Sequence, residues 1–113
     1  MNDQTKARIA ANEALFRAVN EKIDDLNSVF ATVTETFMIV CECGDSGCGD
    51  QIEVDARTYE GVRADPTLFM IVPGHEVVEV ESIVDRHENF DVVRKRPGTP
   101  GEAVAVATDP RAE

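Results

Sequence analysis

The chain has 113 residues, 42% of them hydrophobic, and a formal net charge of −11 from 22 acidic against 11 basic residues. That length suits one small domain with a thin core, and the acidity argues against a direct nucleic-acid ligand, since a phosphate backbone repels such a surface. No apolar run reaches the roughly 18 residues of a membrane span, and Met1-Asn2-Asp3-Gln4-Thr5-Lys6 lacks the charged-then-apolar layout of a signal peptide, so a cytoplasmic protein is expected.

From Asp3 onward Phe16, Val19, Ile23, Leu26, Phe30 and Val33 recur at alternating gaps of three and four. This spacing predicts an amphipathic helix over residues 1–34, capped by Asn2 or Asp3. The same spacing suits a coiled-coil seam, interrupted by Asn12 on the side of Ile9, but over so few heptads a helix laid on a sheet ranks first. Threonines and a valine then replace helix formers up to Thr36. Phe37-Met38-Ile39-Val40-Cys41 is an unbroken apolar run and predicts a central strand buried on both faces. Gln51-Ile52-Glu53-Val54-Asp55 alternates, as a half-buried strand does, and should pair with the first across the intervening loop.

Asp55 can cap a short helix through Ala64, with Tyr59 and Val62 on one face, Gly61 weakening it and Pro66 ending it. Leu68-Phe69-Met70-Ile71-Val72 predicts a second buried strand, stopped by Pro73-Gly74 and able to lie beside the first. The apolar residues Val78, Val80, Ile83 and Val84 fit either a strand or a helical turn followed by one. After the polar turn Asp85-Arg86-His87-Glu88-Asn89, Phe90-Asp91-Val92-Val93-Arg94 reads as a closing strand, and Arg94-Lys95-Arg96 as its solvated end. The expected architecture is α+β: a single domain over 1–96, with a helix in 1–34 and a mostly antiparallel, metal-binding β-rich part in 35–96. Residues 97–113 read as a flexible tail with a helical turn around Glu102 to Ala107.

All three cysteines lie in Cys41-Glu42-Cys43-Gly44-Asp45-Ser46-Gly47-Cys48-Gly49. An odd, clustered set is unlike a secreted disulfide framework. The glycines let neighbouring sulfurs converge on one centre, and a tetrahedral ion needs a fourth ligand. His75, held on a sharp turn after a buried strand, is the first candidate, provided the two strand ends coincide; His87, in the polar turn, is the second. The predicted site is therefore a Cys3His zinc centre of Cys41, Cys43, Cys48 and His75, with an iron–sulfur cluster ranked behind zinc.

Cys41 could otherwise be a small buried hydrophobe. Cys43 and Cys48 could be a redox pair with Cys41 as the resolving thiol, although no basic residue of the loop would stabilise a thiolate. A hydrolase would need an open metal position and a base such as Glu42 or Asp50. There is no nucleophile elbow, phosphate-binding glycine loop or histidine pair at helical spacing.

Cys41-Glu42-Cys43-Gly44-Asp45 with Cys48, the run Thr58 to Thr67, and Val72-Pro73-Gly74-His75-Glu76 together resemble a group of short uncharacterised proteins from actinobacteria and related high-GC bacteria. Asn12 to Arg17 and Val19-Asn20-Glu21 resemble the same group. The likeness reaches to about Lys95 and implies that the cysteine loop pairs with the Pro-Gly-His turn; it implies no activity. The expected function is a bacterial, non-enzymatic regulatory or protein-interaction module with structural zinc, its partner another protein or, through the N-terminal helix, a second copy. A thiol redox sensor, a small metal-dependent hydrolase and a polyanion mimic are the alternatives.

Overall fold

The computed structural model describes residues 1–30 and 36–112. Its elements run α1 (Asp3–Phe30), β1 (Thr36–Val40), β2 (Gln51–Asp55), α2 (Ala56–Arg63), β3 (Leu68–Ile71), β4 (Glu81–Arg86), β5 (Asp91–Lys95) and α3 (Pro100–Ala107). The architecture is α+β, as the patterning predicts. The expected continuation of the first helix through Val33 falls outside the described residues.

The strands form two antiparallel sheets: a β1-β2 hairpin with Thr36 opposite Asp55 and Val40 opposite Gln51, and a three-stranded sheet in the order β3-β5-β4. β1 is thus one strand of a ribbon and not the centre of a sheet, and Met38 on its outer face is 44% exposed. The true central strand is β5, expected only to close the sheet; an apolar run signals burial but cannot say which strand lies in the middle. A backbone hydrogen bond, from Glu42 N to Met70 O at 2.8 Å, joins the two sheets where the hairpin strand runs out past β3. Val77 to Val80 makes one helical turn, with Val80 N and Glu81 N both donating to Val77 O, before β4 begins.

Ile39, Ile52 and Val54 of the hairpin, Tyr59 and Val62 of α2, and Phe69, Met70, Ile71, Val92 and Val93 of the second sheet share one core with Cys41 and Cys43. Local chemistry sets the helix starts. Asn2 Oδ1 accepts from Thr5 N at 2.8 Å and Asp55 Oδ1 from Thr58 N at 2.7 Å. Within the segment expected as a flexible tail, α3 (Pro100–Ala107) lies where the sequence predicts a helical turn around Glu102 to Ala107. Its start is a capping box in which Thr99 Oγ1 accepts from Glu102 N and Glu102 Oε1 from Gly98 N, with Pro100 in the first turn. α3 docks on α1: Arg17 donates to Ala105 O at 2.8 Å and to Thr108 Oγ1 at 2.9 Å, and its guanidinium lies over the Phe69 ring. Arg111 pairs with Glu21, Asp24 and Glu60.

The orientation of α1 departs most from expectation. Its inward stripe is Ala10, Glu13, Arg17, Asn20 and Asp24, all buried, whereas Leu15, Val19 and Leu26 are 59%, 39% and 62% exposed. Phe16 is half-buried, and Ile23 packs against the core edge. Helical spacing identified the helix correctly but assigned the wrong face to the core, because the polar residues at 13, 17, 20 and 24 have the same three-four period and find buried partners.

Candidate metal centre

The hairpin carries the cysteine loop. Past Val40 the ladder continues for one more bond, from Cys41 N to Asp50 O at 2.8 Å, so the chain leaves β1 with Cys41 already fixed. Asp45 then turns the loop back: its carbonyl accepts from Cys48 N at 3.0 Å and its Oδ1 from Gly47 N at 2.8 Å. On the other side, β3 runs into Val72-Pro73-Gly74-His75, where His75 N donates to Val72 O at 3.0 Å and Gly74 takes φ +92°. That left-handed position after proline is a turn requirement only glycine meets without strain. It aims the imidazole back at the loop.

The thiols of Cys41, Cys43 and Cys48 and the His75 imidazole bring one donor atom each within 4.8 Å of one another. His75 Nδ1 lies 3.6 Å from Cys41 Sγ and 3.7 Å from Cys48 Sγ. The four are close enough to hold a metal ion. Cys41 and Cys43 are buried and Cys48 and His75 half-buried, and Cys43, Asp45 and His75 line an open groove of about 210 Å³. The condition that the strand ends coincide is met, and His75 is the histidine of the group. His87 takes no part in it: its ring stacks on Phe90 and its Nε2 lies 3.0 Å from Asp85 Oδ2.

Backbone N–H groups aim at the sulfurs. Val72 N donates to Cys41 Sγ at 3.2 Å, and N–H groups of Cys43 and Asp45 favour the thiolates of Cys41 and Cys43 respectively. Burial outweighs these bonds and pushes both thiols up from their ordinary range. In the unmetallated pocket they are thiols; a cation among them would reverse that balance. The far side of the imidazole has its own neighbour, with Asp50 Oδ2 3.7 Å from His75 Nε2.

Glu42, between two of the cysteines, is no base for metal chemistry. Its carboxylate is fully buried on the opposite side, accepting from Arg63 NH1 at 2.6 Å, Arg63 NH2 at 2.9 Å, Asn20 Nδ2 at 2.7 Å and Met70 N at 2.9 Å. The alternation of side chains along extended backbone, readable in Cys-Glu-Cys itself, predicts this reversal. A second buried cluster also escaped the sequence reading. Lys95, expected in solvent, is 1% exposed and pairs with Glu13 and with Glu81 at 2.9 Å. Neither Glu13 oxygen has an aligned hydrogen-bond donor, and burial pushes the Glu13 carboxyl up to about 9 against the opposing pull of Lys95.

No family model matches the chain, and neither a curated protein nor a solved structure does.

Proposed function

We propose that the four residues form a closed, structural Cys3His zinc centre in a non-enzymatic protein-interaction module. The observation that carries this reading is the convergence of Cys41, Cys43, Cys48 and His75 from two separate chain segments. With zinc–sulfur and zinc–nitrogen bonds of about 2.3 and 2.0–2.1 Å, a tetrahedral sulfur–nitrogen edge is about 3.6 Å. The His75 separations of 3.6 and 3.7 Å match that edge. Three soft thiolates and an imidazole are a donor set that zinc takes readily, and four protein ligands leave no position for a substrate water.

With Glu42 turned away, Asp50 is the carboxylate left beside His75, and the Cys41 and Cys43 thiols, pushed upward by burial, are poor redox nucleophiles. Zinc would cross-link the hairpin to the β3 turn, and a structural site of this kind contributes on the order of 10 kcal/mol of apparent folding free energy. The interaction role draws on the outward stripe of Leu15, Val19 and Leu26, an apolar helix face without a partner among the described residues.

Elemental analysis of protein purified without added metal tests the centre. One zinc per chain is expected, with a lower thermal midpoint after chelation. His75→Ala should lose most of the zinc while keeping the three thiols titratable. A wild-type chain that neither carries nor takes up zinc, and whose midpoint ignores the chelator, would overturn the reading.

A further inference from the structure

The segment that supplies Cys41 and Cys43 is also the platform on which α1 rests. Asn20 is the hub of that contact: its Nδ2 donates to Val40 O at 2.8 Å and to Glu42 Oε2 at 2.7 Å, and its Oδ1 accepts from Val40 N at 2.8 Å. About two turns earlier, Asn12 Nδ2 donates to Gly44 O at 2.9 Å. A turn before that, Ile9 approaches Gly44 so closely that a Cβ there would stand 2.9 Å from Ile9 Cβ.

Side chains alternate along these residues, so rotating Cys41 and Cys43 away from the centre also pulls Glu42 out of its Arg63, Asn20 and Met70 contacts. The face that α1 presents here is polar. Directional hydrogen bonds lose their strength over a few tenths of an ångström, whereas an apolar face can slide without such loss.

We propose that metal binding at the cysteine centre and docking of α1 are thermodynamically coupled through residues 40–44, with Asn20 as the positioning residue that links them. This rests on the Cys3His reading. Loading the centre fixes the backbone that Asn20 and Asn12 recognise; emptying it loosens the helix and the outward stripe of Leu15, Val19 and Leu26 that it carries. By reciprocity, the factor by which bound metal strengthens α1 docking on this segment is also the factor by which docking strengthens metal binding, so a change that frees α1 from the segment weakens metal binding. The centre then regulates how an interaction helix is presented.

Two measurements on the full chain test it. Zinc affinity is read by chelator competition in Asn20→Ala, Asn12→Ala and Arg111→Ala, the last removing ion pairs to Glu21 and Asp24 of α1 that do not involve residues 40–44. Asn20→Ala is expected to bind zinc about tenfold more weakly, Asn12→Ala to shift the same way by less, and Arg111→Ala to bind as the wild type does. Amide hydrogen exchange of the wild type, with and without chelator, should show α1 losing protection before β5.

Wild-type affinity in both asparagine variants, or α1 protection indifferent to zinc, overturns the coupling and leaves the Cys3His centre standing. A wild type that binds no zinc overturns both. Should Asn20→Ala fail to fold, Asn12→Ala and the exchange measurement, which needs no variant, still decide.

Discussion

Two buried ionic clusters lie under α1, and they are built on opposite principles. In the first, all four contacts of Glu42 come from fixed donors: two from the Arg63 fork, one from Asn20 and one from the backbone of β3. In the second, Glu13 and Glu81 share a single ammonium, Lys95, and Glu13 has no aligned donor for either oxygen. A buried carboxylate stays ionised when hydrogen bonds replace its hydration, and takes up a proton when they do not. The first cluster therefore holds Glu42 by hydrogen bonds to both oxygens, and the second pushes the Glu13 carboxyl up until it holds a proton, although both are equally removed from water.

Breaking the first cluster should have the largest effect. Glu42→Ala strands the Arg63 guanidinium without its counter-ion and leaves Met70 N unmatched, and a loss of about 3–5 kcal/mol is expected in urea unfolding. A loss below about 1 kcal/mol would mean that the two clusters do not differ in the way described. Next comes Gly44→Ala, which spares both clusters but drives a methyl into the β-branched Ile9, whose Cα already lies 3.1 Å from the added carbon. Overpacking of this kind costs about 1–3 kcal/mol, and α1 amides should exchange faster in the variant.

Glu13→Gln should have the smallest effect, under about 1 kcal/mol at neutral pH, because it replaces a carboxyl that is already protonated by a neutral group of similar shape. Its signature lies in pH dependence. Glu13 titrates near 4.5 when unfolded and is raised to about 9 when folded. Between those values the native chain holds a proton that the unfolded chain has released, so stability falls as pH rises through the window. Unfolding curves across it should show that fall in the wild type and a flatter profile in Glu13→Gln. Equal slopes would place the proton elsewhere.

Much of the centre was legible because its chemistry is local. Clustered cysteines, a glycine-hinged loop and the Val72-Pro73-Gly74-His75 turn each announce themselves within a few residues. Helix caps at Asn2 and Asp55 were readable for the same reason, and Thr99-Pro100-Gly101-Glu102 carries a capping-box signature strong enough to have placed α3. Pairing between distant strands was less accessible: the β3-β5-β4 order depends on contacts that no local period encodes. The partners of polar residues were the least legible. Glu13, Arg17, Asn20 and Asp24 look solvated beside an apolar stripe, and only the placement of Arg63, Lys95 and the strand backbone shows that the core claims them instead.

Arg17 makes the protein's order of assembly depend on α3. Its NH1 donates to Pro66 O, its Nε has no hydrogen-bond partner among the described residues, and its NH2 donates to Ala105 O and Thr108 Oγ1, which lie 88 and 91 positions further along the chain. A ribosome delivers α1 well before these two acceptors, so this part of the burial site is unfinished until α3 has emerged. Nascent chains that stop short of α3 would leave Arg17 NH2 without either acceptor beside Phe69, so closure of the native fold is expected to wait for α3.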